Sequence, residues 1–182
     1  MEIKITRARR KTLSLRILPD GSLDVRAPLD MPKREIDRFL GEKADWIETN
    51  RAQVLRDRQL GEKNAITAEQ LETLKDLAQG PILESLRVFA PQMGVTYGRV
   101  TIRCQKSRWG SCSGSGNLNF NCLLALAPRE VLDYVVVHEL AHRKHMDHSA
   151  AFWQEVGRVL PDYRARRDWL RRNGGALLAR VR

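Results

Sequence analysis

The feature that most constrains this chain is Tyr134–Val135–Val136–Val137–His138–Glu139–Leu140–Ala141–His142, followed by Arg143–Lys144–His145–Met146–Asp147–His148. All 4 histidines of the 182 residues lie inside it. Two of them stand four apart with a glutamate directly after the first, the pattern H-E-x-x-H. On an α-helix, residues i and i+4 share a face, so both imidazoles can point at one ion. Glu139, about 100° round the helix from its neighbour, can then reach a water beside that ion. This is the pattern of a zinc site with a glutamate general base. A shuffled chain of this composition would contain it only about 0.004 times. Solvated or core histidines are the commoner fate of this residue type, but the apolar run around the motif predicts a buried helix that carries it.

A catalytic zinc takes three protein ligands and keeps one position open. His145 shares the face only if the helix runs on, and it would then stand roughly 7–8 Å along the axis from the midpoint of the pair. That is far for Zn–N bonds of about 2.0–2.1 Å. His148 requires the chain to turn first. The spacing His138, His142, His148 is that of H-E-x-x-H-x-x-G-x-x-H sites, with His145 where the glycine stands; histidine is among the residues enriched at positive φ. His148 is therefore the first choice of third ligand, Glu155 the second and His145 the third.

A chain of this length buries one core with a small appended lobe. No run approaches the 18 or so apolar residues of a membrane span, and the charged start lacks the apolar stretch of a secretory signal. Cys104, Cys112 and Cys122 have no C-x-x-C spacing, which predicts reduced thiols in a cytoplasmic protein; a cysteine-type zinc site is the sharper alternative. The net charge of +10 is concentrated at Arg7, Arg9, Arg10 and Lys11 and again from Arg158 to Arg172. It suits either a solvated basic surface or association with nucleic acid, though no nucleic-acid motif accompanies it.

Alternation over residues 2–6, 12–18 and 23–27, with a Pro19–Asp20–Gly21–Ser22 turn, predicts antiparallel strands with a hairpin. Ile36, Leu40, Ile47 and Val54 then form a helical stripe, broken near Gly41. The polar stretch 57–64 is the expected boundary between an N-terminal β-hairpin and helix lobe, 1–62, and a second domain, 63–182. Thr67–Gln70 opens a helix with a capping box, and Gly80–Pro81 is expected to interrupt it. Residues 100–104 and 118–121 read as a hairpin with a long tip, and Pro128 starts the helix of the histidine motif. Ser149 is the expected cap of the next helix. A last helix from Pro161 is expected to stop at Asn173–Gly174–Gly175, leaving 176–182 as a mobile tail.

The tryptophan among small residues in Lys106–Ser107–Arg108–Trp109–Gly110–Ser111–Cys112 is either a loop anchor or a cleft-side loop. With the Asn119 and Asn121 strand, the histidine motif and His148–Ser149–Ala150–Ala151–Phe152–Trp153, it resembles the YgjP-like metal-dependent hydrolases, relatives of the SprT-like and WLM zinc proteases. Arg9–Leu13, Pro19–Gly21 and Trp46–Ile47 share the resemblance, which extends over nearly the whole chain. It implies a zincin-like α+β metallopeptidase domain with Zn2+ on His138, His142 and His148 and with Glu139 as catalytic glutamate. It also implies a strand edging the cleft, for which 118–121 is the candidate. Arg108, Trp109, Asn119 and Asn121 are the expected substrate-binding residues, and Arg108, Tyr134 and Tyr163 are candidates for stabilising an oxyanion. The leading expectation is a zinc metallopeptidase acting on peptide or protein. The alternatives are a nucleoside triphosphate pyrophosphatase at the same site, an activity ascribed within the YgjP-like group, and a nucleic-acid-associated module with a structural metal.

Overall fold

The computed structural model describes residues 1–181. The chain divides into two compact units, Met1–Glu62 and Lys63–Arg182, each combining a three-stranded sheet with helices.

In the first unit, β1 (Ile3–Ala8), β2 (Ser14–Ile17) and β3 (Leu23–Pro28) lie in the order β1-β3-β2. β2 and β3 form the expected antiparallel hairpin, with Gly21 at φ +81° in its turn, a conformation natural to glycine. β1 instead runs parallel to β3, from Ile3 opposite Leu23 to Ala8 opposite Pro28. Alternation specifies which side chains face inward, and it is the same for either direction of a neighbouring strand. Leu23, Val25 and Ala27 are fully buried with Ile36 of α1 (Lys33–Glu42), and Ile47 of α2 (Ala44–Lys63) joins them. The helical stripe breaks at Lys43, between α1 and α2. The polar stretch from 57 is helical as far as Lys63, supported by i,i+4 contacts from Gln53 to Asp57 and from Arg58 to Glu62, each 2.8 Å. Arg7 of the N-terminal basic cluster donates from Nη1 to the carbonyls of Pro28, Leu29 and Met31. It closes the end of β3.

In the second unit, α3 (Ala68–Met93) opens on the Thr67/Gln70 capping box and continues through Pro81 and Pro91. The expected interruption at Gly80–Pro81 is overridden. A helical proline costs about 3 kcal/mol, but Ala78, Ile82 and Leu86 are all fully buried here. Gly80 also has no Cβ for the following proline ring to strike.

β4 (Val100–Arg103), β5 (Gly110–Cys112) and β6 (Leu118–Asn121) follow in the order β4-β6-β5. β4 pairs parallel with β6, and the hairpin is between β5 and β6. The segment 118–121, expected to edge the cleft, is thus the middle strand; β5 is the edge. Glycine and serine are poor strand formers, which is why β5 reads as loop. A 3₁₀ turn (Cys122–Leu126) leads to α4 (Arg129–Ala141), α5 (Ala150–Val159) and α6 (Tyr163–Leu178). One core joins Ile82 and Leu86 of α3, Phe120 of β6, Val136, Val137 and Leu140 of α4, and Phe152 and Val156 of α5.

α6 runs through the expected stop at 173–175. Gly174 is buried, and a Cβ there would lie 3.1 Å from Trp109 Nε1, so this glycine makes room for an indole. The expected tail is also built into the unit through Val181. Val181 is buried with Ile66, Leu74, Cys122 and Leu123, and the Ile66 N–H donates to the Arg180 carbonyl at 3.0 Å. No helix among the described residues is long and apolar enough to cross a membrane.

Val181→Asp is expected to cost about 2 kcal/mol, the value of burying a valine and keeping one backbone hydrogen bond. Denaturant unfolding measures it, and an unchanged midpoint would mean the terminus is free.

Candidate metal centre

α4 is buried on nearly every side, as its apolar sequence predicts, and it ends at the second motif histidine. The Arg143 N–H donates to Leu140 O, and the N–H groups of Lys144 and His145 donate to Ala141 O. His142 Nδ1 lies 3.0 Å from the His145 carbonyl. A carbonyl only accepts, so Nδ1 carries the proton and Nε2 keeps a free lone pair. The chain turns here with no non-glycine residue at positive φ. His145 therefore does not take the left-handed geometry its position suggested; it contributes its carbonyl, and its ring stays outside the cluster. The Ser149 hydroxyl makes no cap; the Asp147 carboxylate accepts from the Ser149 N–H at 3.3 Å instead.

This turn brings His148 back over α4. The ligand atoms of His138, His142 and His148 lie within 4.8 Å of one another, and the Nε2 atoms of His138 and His148 are 3.1 Å apart. A tetrahedral site with Zn–N bonds of about 2.0–2.1 Å has edges of about 3.3 Å, so the spacing needs little adjustment to take an ion. Phe152, fully buried, lies 4.9, 4.7 and 4.8 Å from the three rings and forms their common floor. Burial, helped by His142 and His148, holds the His138 pKa down to about 3, and burial also lowers that of His142. Neutral imidazoles with free lone pairs are the donors a divalent ion such as zinc takes. Glu155, the second choice of third ligand, is engaged elsewhere: it accepts from Lys144 at 2.9 Å and Arg158 at 2.8 Å.

Glu139 is 5% exposed, and burial pushes its pKa up to about 8 against the pull of the Arg108 charge. Its carboxylate rests on β5: a Cβ on Gly110 would stand 2.6 Å from Glu139 Oε1. A cavity of about 220 Å3 lies here, lined by Trp109, Gly110, Tyr134, His138, Glu139 and Leu170 together with Val135. Arg108 is exposed and Trp109 half-buried. Asn119 reaches Ser111 Oγ at 3.4 Å. Asn121 is fully buried; its Nδ2 donates to the carbonyls of Gln105 (2.7 Å) and Arg108 (2.8 Å), and its Oδ1 accepts from Leu123 N. It props the Arg108–Trp109 loop from behind and offers no surface to a substrate. Tyr134 lines the cavity, its pKa raised to about 12 by burial, whereas Tyr163 stacks on Trp153. Two features were not read from the sequence: the Phe152 floor, and Gly110 as the seat of Glu139. The second left a trace in the small residue after Trp109, but no spacing says which helix residue faces it.

A model of the YgjP-like metallopeptidase domain matches residues 11–73 and 59–173. The chain belongs to this family. As a YgjP-like protein it is a metal-dependent hydrolase. No curated protein sequence matches it at a comparable level. Among solved structures, the metallopeptidase zymogen of Pyrococcus abyssi abylysin aligns with a TM-score of 0.43 at 24% identity, over 51% of this chain and 90% of that one.

Gly110→Ala is expected to displace the Glu139 carboxylate and lower hydrolytic turnover about 100-fold, the scale of an ångström misplacement, with the metal content unchanged. Unaltered turnover would show that the carboxylate need not rest on Gly110. Glu155, paired first with Arg158 and also with Lys144, has its pKa lowered from 4.5 to about 2. A depressed carboxylate pKa contributes stability above the unfolded value, lost as pH falls through the folded one. Melting temperatures of wild type and Glu155→Gln should therefore differ above pH 4.5 and converge as pH falls towards about 2. A constant difference would contradict the ion pairs.

Proposed function

We propose that the YgjP-like protein is a zinc metallopeptidase in which His138, His142 and His148 hold the ion and Glu139 is the general base. The observation that carries this reading is the convergence of three imidazoles within 4.8 Å beside a buried carboxylate in an open cavity. A divalent ion held there would act as a Lewis acid and acidify water bound to it. Glu139, raised by burial, takes the proton of the attacking water and returns it to the leaving amine. The His145 carbonyl orients His142, and Phe152 packs against all three rings. β5, as the sheet edge against Glu139, offers backbone groups along which an extended peptide can lie. Arg108, Trp109 and Asn119 remain the proposed substrate contacts on that side, and Tyr134 is the best-placed oxyanion donor. Family membership favours a peptide substrate over a nucleoside triphosphate, and the presence of Glu139 favours catalysis over a purely structural metal. Arg129, Arg158, Arg166 and Arg171 are engaged in ion pairs.

Metal analysis should find about one zinc per chain, and His148→Ala should lose most of it. Glu139→Gln should retain the ion while casein hydrolysis falls at least about 100-fold. Turnover of nucleoside triphosphates but not casein would overturn the peptidase reading, and undiminished casein hydrolysis in Glu139→Gln would remove the glutamate from the mechanism.

A further inference from the structure

Cys104 follows β4 and Cys122 follows β6. The parallel register that sets Arg103 opposite Asn121 places these cysteines side by side on the next rung. Neighbouring strands lie about 4.8 Å apart, inside the Cα separation of about 4.4–6.8 Å that a disulfide spans. The side chains point at each other: the two Sγ atoms face at 2.6 Å. Both belong to the cluster formed by Ile66, Leu74, Leu123 and Val181, and Trp109 packs against the same cluster. Cys112, on β5, directs its thiol to the Ser113 carbonyl at 3.4 Å.

We propose that Cys104 and Cys122 form a thiol–disulfide site, closed by a low-molecular-weight disulfide such as oxidised glutathione, that staples the base of the segment walling the metal centre. That segment, 105–121, carries Arg108, Trp109, Gly110 and all of β5. Joining its ends holds the strand on which Glu139 rests, whatever the substrate. The staple does not depend on the peptidase reading.

The two sulfurs have different roles. Cys122 is fully buried, and burial with the neighbouring Cys104 raises its pKa; Cys104 is partly exposed. Cys104 is therefore the thiol an outside reagent meets first. Its thiolate attacks one sulfur of glutathione disulfide and expels a glutathione thiolate, which takes up the released proton. The Cys122 thiolate then attacks the Cys104 sulfur of the mixed disulfide and expels the second glutathione. The two cysteines lose two electrons and two protons, and one glutathione disulfide becomes two glutathiones. The Lys75 ammonium is near enough to act electrostatically on both sulfurs, and its charge opposes the rise at Cys122.

The test is to incubate the folded full-length chain with excess oxidised glutathione, alkylate under denaturing conditions and count thiols by mass. From the three cysteines, one free thiol should remain, at Cys112, and digestion should yield a peptide pair joined through Cys104 and Cys122. Cys112→Ser should lose both of its thiols and melt at a higher temperature oxidised than reduced, whereas Cys104→Ser should form no internal disulfide. Three alkylated thiols after incubation, or a bridge that includes Cys112, would overturn the assignment. Equal melting temperatures for oxidised and reduced Cys112→Ser would show that the bond staples nothing.

Discussion

The site depends on bringing three imidazoles close together with lone pairs free to face one ion. Charged imidazoles at this separation would repel one another and could not coordinate an ion. Packing brings the rings together, and burial keeps His138 and His142 uncharged. Phe152 supplies an apolar floor touched by all three rings, and the same desolvation, with the mutual influence of the rings, holds His138 far below its ordinary pKa. Phe152 is itself placed by the core that joins α3, α4, α5 and β6. The centre is therefore a product of packing as much as of the motif, since the residues that bind nothing decide where those that could bind something converge.

The turn after α4 is the second requirement. An α-helix alone offers two histidines on one face and then carries the next away along its axis. Here the helix ends on the second histidine, and its last carbonyls are capped by the N–H groups of Arg143, Lys144 and His145. The His145 carbonyl then fixes the orientation of His142. A residue that composition would count as a spare ligand thus serves through its backbone, and the reversal is made without a left-handed residue.

How much of this was legible follows from the kind of information each pattern carries. Helical spacing identified α4, and reach along a helix set His145 behind His148, because such reach is simple geometry. The capping box marked the start of α3 for the same reason. Strand direction was not legible: alternation in 2–6 and 100–104 is equally consistent with parallel and antiparallel neighbours, and both pairings proved parallel. Breakers misled wherever burial outweighed them. Pro81 sits inside α3, and Gly174 inside α6 leaves space for Trp109 rather than ending the helix. Asn121 read as a polar residue available to a ligand, although a buried amide bonded on both sides is equally polar in sequence. The edge strand β5 could not be seen, because its glycine is required by the close Glu139 carboxylate and not by strand propensity.

The central claim is that three histidine nitrogens of one short segment close around a single ion. X-ray absorption at the zinc edge of the loaded protein tests it most directly. The account predicts a first shell of nitrogen and oxygen at about 2.0–2.1 Å with outer-shell scattering from three imidazoles. A sulfur shell at about 2.3 Å, or scattering from fewer than three imidazoles, would contradict it.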